Sequence, residues 1–288
     1  MIYWVKIFLE LTKFRISLFT AFSTSLGFLI AQKNPSSGMF FSALGVFLIA
    51  SGGCGLNQYQ ERNDDRWMER TKARPLPSGK FMPERALLLS LCLIVSGFFI
   101  LFYRVNWIAS GLALFALFWY NGFYTYLKRK SAFAAIPGAL VGAIPPLIGW
   151  VAAKGSLSHD PQILALSLFF FMWQVPHFWL LFLNYSKDYE RAGFPSLTRI
   201  FSARQLRRMT FVWICATFTT CLIIPLFGTV ELDVILGGLM AAGLWLIWKS
   251  VYLLRDRSQP FSSRTLFNAM NGYILLVMAL FTLDKLIH

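Results

Sequence analysis

MFFSALGVFLIASGGCGL (residues 39–56) runs without a break into NQYQERNDDRWMERTKARPLPSG (residues 57–79). The first half is apolar and about as long as a helix that crosses the hydrocarbon core of a bilayer. The second half packs Glu61, Asp64, Asp65 and Glu69 against Arg62, Arg66, Arg70, Lys72 and Arg74. An ordinary membrane loop needs no such concentration of both charges. If the helix continues through this stretch, Asn57, Glu61, Asp64 and Asp65 fall at i, i+4, i+7 and i+8, so their oxygens share one face. Several hard oxygen donors on one face are what Mg²⁺ accepts when substrate phosphates complete its shell. The neighbouring guanidinium and ammonium groups suit phosphate oxygens. The competing reading is a solvated, positive loop whose acids only balance its bases.

The rest of the chain makes that stretch one loop of a polytopic membrane protein. Of its 288 residues 57% are hydrophobic and 17% aromatic, and only 14% are charged, a composition unlike that of a soluble domain. Apolar runs long enough to span the membrane lie near residues 16–31, 39–56, 86–103, 107–124, 133–153, 163–183, 211–228, 234–254 and 266–286. The expected fold is all-α: nine transmembrane helices in a bundle around a central cavity, forming a single transmembrane domain over 1–288. The two longest polar connections, about 57–85 and 184–210, follow the second and sixth runs. This spacing suggests two pseudo-repeated four-helix halves plus a ninth helix, with both loops over one cavity.

Basic residues gather in alternate connections, as they do on the cytoplasmic side of membrane proteins. Lys6, Lys13 and Arg15 precede the first run, and Lys128, Arg129 and Lys130 follow the fourth. Lys187, Arg191, Arg199, Arg204, Arg207 and Arg208 follow the sixth, and Lys249, Arg255, Arg257 and Arg264 surround the end of the eighth. The opposite side has Lys33, Arg104, Lys154 and Lys285. The amino terminus is therefore expected in the cytoplasm and the carboxyl terminus outside. This asymmetry, with attraction to anionic headgroups of the lipid bilayer, accounts for the net charge of +14 without nucleic acid. The first run lacks a small-residue cleavage pattern and is expected to stay in the mature protein. Cys54, Cys92, Cys215 and Cys221 lie in apolar runs without metal-ligand spacing and are expected to be buried free thiols.

Two spans carry groups that a simple membrane helix avoids. Ala143-Ile144-Pro145-Pro146-Leu147-Ile148-Gly149-Trp150 loses two backbone donors to proline, which predicts a kink lining a pocket, because freed carbonyls in lipid must be satisfied inside the protein. Trp173-Gln174-Val175-Pro176-His177-Phe178-Trp179 places an amide and an imidazole among apolar residues, where polar groups face the bundle interior. For His177, hydrogen bonding between helices and contact with a ligand remain equal readings.

Together these segments resemble the UbiA-type intramembrane prenyltransferases and, within them, the heme O synthase branch. Asn57 to Asp65 is similar to the family's first aspartate-rich motif, and Arg70-Thr71-x-x-Arg74-Pro75-Leu76-Pro77-Ser78-Gly79 continues the match. Gly142 to Trp150, Trp173 to Trp179 and Asp188-Tyr189-x-x-Ala192-Gly193-x-Pro195 narrow it to the heme branch, with Lys13-Phe14-Arg15 as a weaker match. The sequence departs from the family pattern at Phe14, Glu61, Asn63, Ala134 and Lys187. Glu61 keeps a carboxylate, whereas Lys187 puts a cation beside Asp188 and leaves the second loop poorer in acid.

The resemblance implies a Mg²⁺-dependent enzyme that moves a farnesyl group from farnesyl diphosphate to a vinyl group of heme B, in the inner or plasma membrane of a bacterium or the mitochondrial inner membrane. A heme A synthase or a terminal oxidase assembly would receive the product. It assigns the catalytic and metal roles to Asn57, Glu61, Asp64, Asp65 and Asp188. Diphosphate binding falls to Arg70, Arg74, Lys128 and Tyr124, and the heme pocket to His177, Trp173, Gln174 and Trp150, with Phe178 and Trp179 as further aromatics. Three rivals stay open: a UbiA-type enzyme acting on an aromatic quinone precursor, a transporter with kinked helices, and a non-catalytic heme-binding assembly protein.

Overall fold

The computed structural model describes residues 2–157, 159–254 and 263–287, and all regular structure among them is helical. Arg255 and Arg257, counted above for orientation, lie outside the described residues. A short helix α1 (Ile2–Leu11) precedes α2 (Phe14–Ala31), α3 (Ser37–Glu61) and α4 (Pro83–Arg104). Next come α5 (Trp107–Leu117), a π-helical stretch (Phe118–Tyr124) and α6 (Thr125–Leu127), then α7 (Ala135–Gly138) and α8 (Leu140–Lys154). The chain continues through α9 (Pro161–Asn184), α10 (Ser186–Arg191), α11 (Ala203–Ile223), α12 (Asp233–Ser250) and α13 (Ser263–Ile287).

Among the described residues, eight helices are long and apolar enough to cross a membrane. The expected span at 107–124 differs from them. It stays helical, but α5 yields at Phe118 to the π stretch, so it is an interrupted helix rather than a ninth continuous one. Helices adjacent in sequence pack side by side, and α13 touches both α9 and α2 and so closes the bundle. On α4, Leu88, Leu91, Val95, Phe99 and Phe102 are exposed, a face suited to lipid rather than water. Cys92 is also exposed there and Cys215 is half-buried, while Cys54 and Cys221 are buried. The expectation of four buried thiols therefore fails for two, because their helix faces point out of the bundle.

Close backbone approach holds the interior together, as is usual where lipid supplies no hydrophobic drive between helices. A Cβ on Gly27 would overlap the Pro146 carbonyl, and one on Gly149 would overlap the Thr24 carbonyl. The expected Pro145–Pro146 kink is therefore not a pocket wall. Both prolines are buried within a continuous α8, and Pro146 meets α2. Trp150 is likewise buried, in a core with Leu26, Ile30 and Ile163.

A polar clasp closes the end of the bundle opposite the 57–79 stretch. Asp284, fully buried on α13, accepts the N–H groups of Glu231 and Leu232 at 3.0 Å each, at the start of α12. Glu231 pairs with Lys285 at 2.6 Å and with Lys33 at 2.8 Å. Hydrogen bonds first from Lys285 and then from Lys33 pull the Glu231 carboxyl down to about 2.

Candidate active site

The helix reaches the acidic stretch but does not run through it. α3 ends at Glu61, and Asp64–Trp67 forms a separate 3-10 turn, so only Asn57 and Glu61 share a helical face one turn apart. Asn57, Glu61 and Asp65 are nonetheless all buried. Burying carboxylates is costly unless they are paired, and each of these acids has found a cation. Glu61 pairs with Lys128, Asp65 with Arg74 at 2.8 Å, and Asp64 with Arg129 at 2.7 Å. The Asn57 oxygen accepts from the Lys13 ammonium at 3.2 Å. Desolvation pulls Lys13 down to about 8, against the opposing pull of nearby acids such as Glu61.

The second polar loop joins the first through one contact. Asp188 on α10 accepts the backbone N–H of Arg70 at 3.2 Å, and the Arg70 guanidinium lies over the Tyr185 ring at 5.2 Å. The loop is shorter than expected, because α11 begins at Ala203 behind a capping box formed by Ser202 and Gln205. Lys128 bridges toward that loop, 5.8 Å from the Tyr124 ring and 5.9 Å from that of Phe194. Tyr124 stacks on Phe178 at 6.0 Å and fills the space a side chain at Gly138 would take. Arg62 turns back onto its own helix, donating to the Tyr59 carbonyl at 2.6 Å. Lys72 pairs with exposed Glu69, and its hydrogen bond lowers that carboxyl.

These pairings occupy the acids expected to hold a metal. Among the described residues, no three His, Cys, Asp or Glu side chains stand together as a ready metal site. The break after Glu61 takes Asp64 and Asp65 off the helical face of Asn57 and Glu61, and each carboxylate turns to its own partner. The donor set still fits Mg²⁺ chemically: it is all hard oxygen, and a Lys or Arg end holds the place of the metal's charge at each buried acid.

Deeper in the bundle, the expected heme residues take several positions. His177 is layered between Trp173 and Phe267, with ring centroids 4.7 Å away on either side. The Trp173 indole donates to the Met270 carbonyl at 3.0 Å and so ties α9 to α13. The Gln174 amide occupies the space beside Gly142, whose missing Cβ makes room for it. Trp179 packs edge-on to Trp213 at 5.9 Å. Trp150 belongs to the core described above and is not brought to the acidic cluster. Sequence reasoning gave no site role to Tyr120, Asn121 or Thr125, used Arg129 only for orientation, and used Lys13 only for orientation and as part of a weaker family match. Polar residues clustered inside the apolar run 107–124 and just after it were the available signal.

A family model for UbiA prenyltransferases matches residues 20–273. The chain belongs to the UbiA prenyltransferase family. Among UbiA relatives, the protoheme IX farnesyltransferase of Opitutus terrae is 34% identical, with the match covering 97% of this chain and 94% of that protein. The protoheme IX farnesyltransferase of Geobacter sulfurreducens is 35% identical over 90% of this chain and 92% of its own. The fold also matches a solved structure of digeranylgeranylglyceryl phosphate synthase over all of both chains, with a TM-score of 0.79 at 16% identity. A UbiA homolog from Archaeoglobus fulgidus, bound to GPP and Mg²⁺, matches over 98% of this chain and all of that one, with a TM-score of 0.67 at 13% identity. The UbiA fold accounts for the closed helical bundle, and family membership makes the protein a membrane-embedded prenyltransferase.

Proposed function

We propose that this protein transfers the farnesyl group of farnesyl diphosphate to a vinyl group of heme B, with addition of water, and so produces heme O. The observation that carries this reading is the buried pairing of Glu61 with Lys128 and of Asp65 with Arg74 at the polar end of an apolar bundle. The near-full-length similarity to protoheme IX farnesyltransferases selects heme as the acceptor. The working unit is one domain over 1–288, with its amino terminus and acidic loops on the cytoplasmic side of a bacterial inner membrane. Its product passes to a heme A synthase or terminal oxidase assembly.

The residues divide the work. Arg70, Arg74 and Lys128 release their carboxylate, backbone or aromatic partners and hold the diphosphate oxygens, while Tyr124 donates its hydroxyl. Mg²⁺, held by Asn57, Glu61 and Asp65 with Asp64 and Asp188 at the margin, would supply the charge that offsets the leaving diphosphate. As the allylic C–O bond breaks, diphosphate departs with the bonding electrons and the vinyl carbon of heme B forms the new C–C bond. Water then adds to the cationic carbon beside the porphyrin and loses one proton. No side chain becomes a nucleophile. The main contribution of the protein is fixed charge around the leaving group, with Phe178, Trp173 and His177 lining the acceptor side.

The test is mass spectrometry of hemes extracted from membranes that contain this protein, incubated with heme B, farnesyl diphosphate and Mg²⁺, beside an Asp65→Ala control. Heme O formed only by the intact protein is the expected result. Unchanged heme B, under conditions where another heme O synthase works, overturns the acceptor assignment in favour of an aromatic quinone precursor or a heme-binding role.

A further inference from the structure

The interrupted helix between α5 and α6 carries two groups that the reaction leaves without a role, Tyr120 and Thr125. In the π stretch, the backbone N–H of Thr125 reaches the Tyr120 carbonyl, and the Thr125 hydroxyl donates to the same carbonyl at 2.9 Å. A carbonyl offers no proton, so the Thr125 hydroxyl proton is committed there and its oxygen is left only as an acceptor. The Asn57 amide nitrogen donates to that oxygen at 3.1 Å. At the other end of the same amide, the Asn57 oxygen faces the Lys13 ammonium at 3.2 Å, and an ammonium has protons and no acceptor. Both ends therefore dictate one orientation of the Asn57 amide: nitrogen toward α6, oxygen toward the acidic cluster.

Three further observations show that this arrangement is built into the fold. Thr125 is fully buried. Lys13 also donates to the Tyr120 hydroxyl at 3.4 Å, so Lys13, Asn57, Thr125 and Tyr120 close a ring of contacts. Lys13 is the one described non-glycine residue with positive φ, at 45°, a conformation tolerated where the surroundings over-determine it. Separately, Asn121 in the π stretch donates to the Gly53 carbonyl at 3.0 Å and to Gln60 at 3.1 Å, which fixes the register of the stretch against α3. π-turns of this kind cluster at functional sites.

We infer that Thr125 is a positioning residue. Through the π turn its hydroxyl holds the Asn57 amide with the oxygen facing the place where metal and diphosphate meet, and Lys13 keeps that oxygen company in the free protein. A partner that orients a metal ligand commonly changes metal affinity tenfold to a hundredfold when lost. The inference rests on the reading that Asn57 is an oxygen ligand, and its test needs no heme.

The probe is Mn²⁺ in the presence of pyrophosphate, with free Mn²⁺ followed by electron paramagnetic resonance on the purified full chain. Thr125→Val weakens Mn²⁺ binding by about tenfold or more, and Thr125→Ser restores it. In an Asn57→Asp background, Thr125→Val changes affinity by less than about twofold, because a carboxylate presents an oxygen whichever way it turns. Equal losses in both backgrounds, or no loss in the first, overturn the inference and leave Thr125 as a packing residue. If Thr125→Val does not fold, Thr125→Ala carries the same comparison. Normal heme O formation with Mn²⁺ affinity insensitive to Thr125 sinks this inference alone. Absence of heme O with the predicted Mn²⁺ pattern sinks only the assignment of the acceptor.

Discussion

Replacing Lys128 with methionine separates the two roles that its geometry gives it. Its ammonium pairs with Glu61, and the two side chains are 16% and 5% exposed, so the pair is essentially out of water. Removing one partner of a buried pair costs about 3–5 kcal/mol, because the other charge is stranded. Here the lower end applies, since Glu61 sits at the last residue of α3, at the polar end of the bundle. For a chain of this size each kcal/mol moves the unfolding midpoint by roughly 2–4 °C, so Lys128→Met should lose about 6–12 °C in a detergent thermostability assay. The double variant Glu61→Gln/Lys128→Met removes both charges and should return to within about 2 °C of the parent, as neutral replacements of buried pairs often do. Activity should not follow. If Lys128 also holds the diphosphate, kcat/KM falls by about a hundredfold in the single variant, on the scale of losing one donor to developing charge, and stays low in the double. An unchanged midpoint in Lys128→Met would refute the buried-pair argument, and recovery of activity in the double variant would refute the diphosphate role.

Other outcomes follow from the packing and the clasp. Gly142→Ala drives a methyl group into the Gln174 amide, and heme B affinity, read by absorbance titration, should weaken by about tenfold, the scale of overpacking. Gly27→Ala meets the Pro146 backbone carbonyl, which cannot swing aside, so folded yield should fall with a cost of about 3 kcal/mol. At the opposite end, the folded-state pKa of Glu231 lies near 2, below its ordinary 4.5. Its contribution is therefore complete above the unfolded value and is lost as pH falls through the folded one. Acid unfolding followed by circular dichroism should show Glu231→Gln lacking that part of the decline between about pH 4.5 and 2.

The membrane spans were legible because their apolar runs are long and uninterrupted, and the acidic stretch because its charges have no business in a loop. What escaped was local backbone geometry. The sequence gives no sign that helix α3 stops at Glu61, since Arg62 and Asn63 are tolerable helix residues; the break shows only once Asp64 and Asp65 have turned to Arg129 and Arg74. The π stretch was equally hidden, because Phe118–Tyr124 is apolar enough to continue a spanning helix, and only the tertiary partners of Asn121 and Thr125 make the wider turn favourable. The prolines misled in the other direction. Pro145 and Pro146 read as a pocket-lining kink, whereas Gly27 on the facing helix lets the Pro146 carbonyl pack closely against α2.

On the proposed function, the pairing of the buried acids also bears on the cation at Lys187. Bare carboxylates in a bundle would be unstable without metal, so a site awaiting a divalent ion needs its charge held by something that can leave. Lys13, Lys128, Arg74 and Arg129 have that property, because long side chains can swing several ångströms at the polar end. Under the proposed function, a divalent ion bound with diphosphate would supply the charge that Lys128, Arg74 and Arg129 now provide at Glu61, Asp65 and Asp64, leaving those cations for phosphate oxygens. Nearly balanced charges enter, and no acid is left exposed to low dielectric at either stage. Metal alone would have to expel the cations with nothing to receive them, so binding is expected to be coupled to diphosphate. On that proposal the second loop, with Asp188 and Glu190 as its acids and exposed Lys187 beside Asp188, would offer one metal ligand fewer and one phosphate partner more.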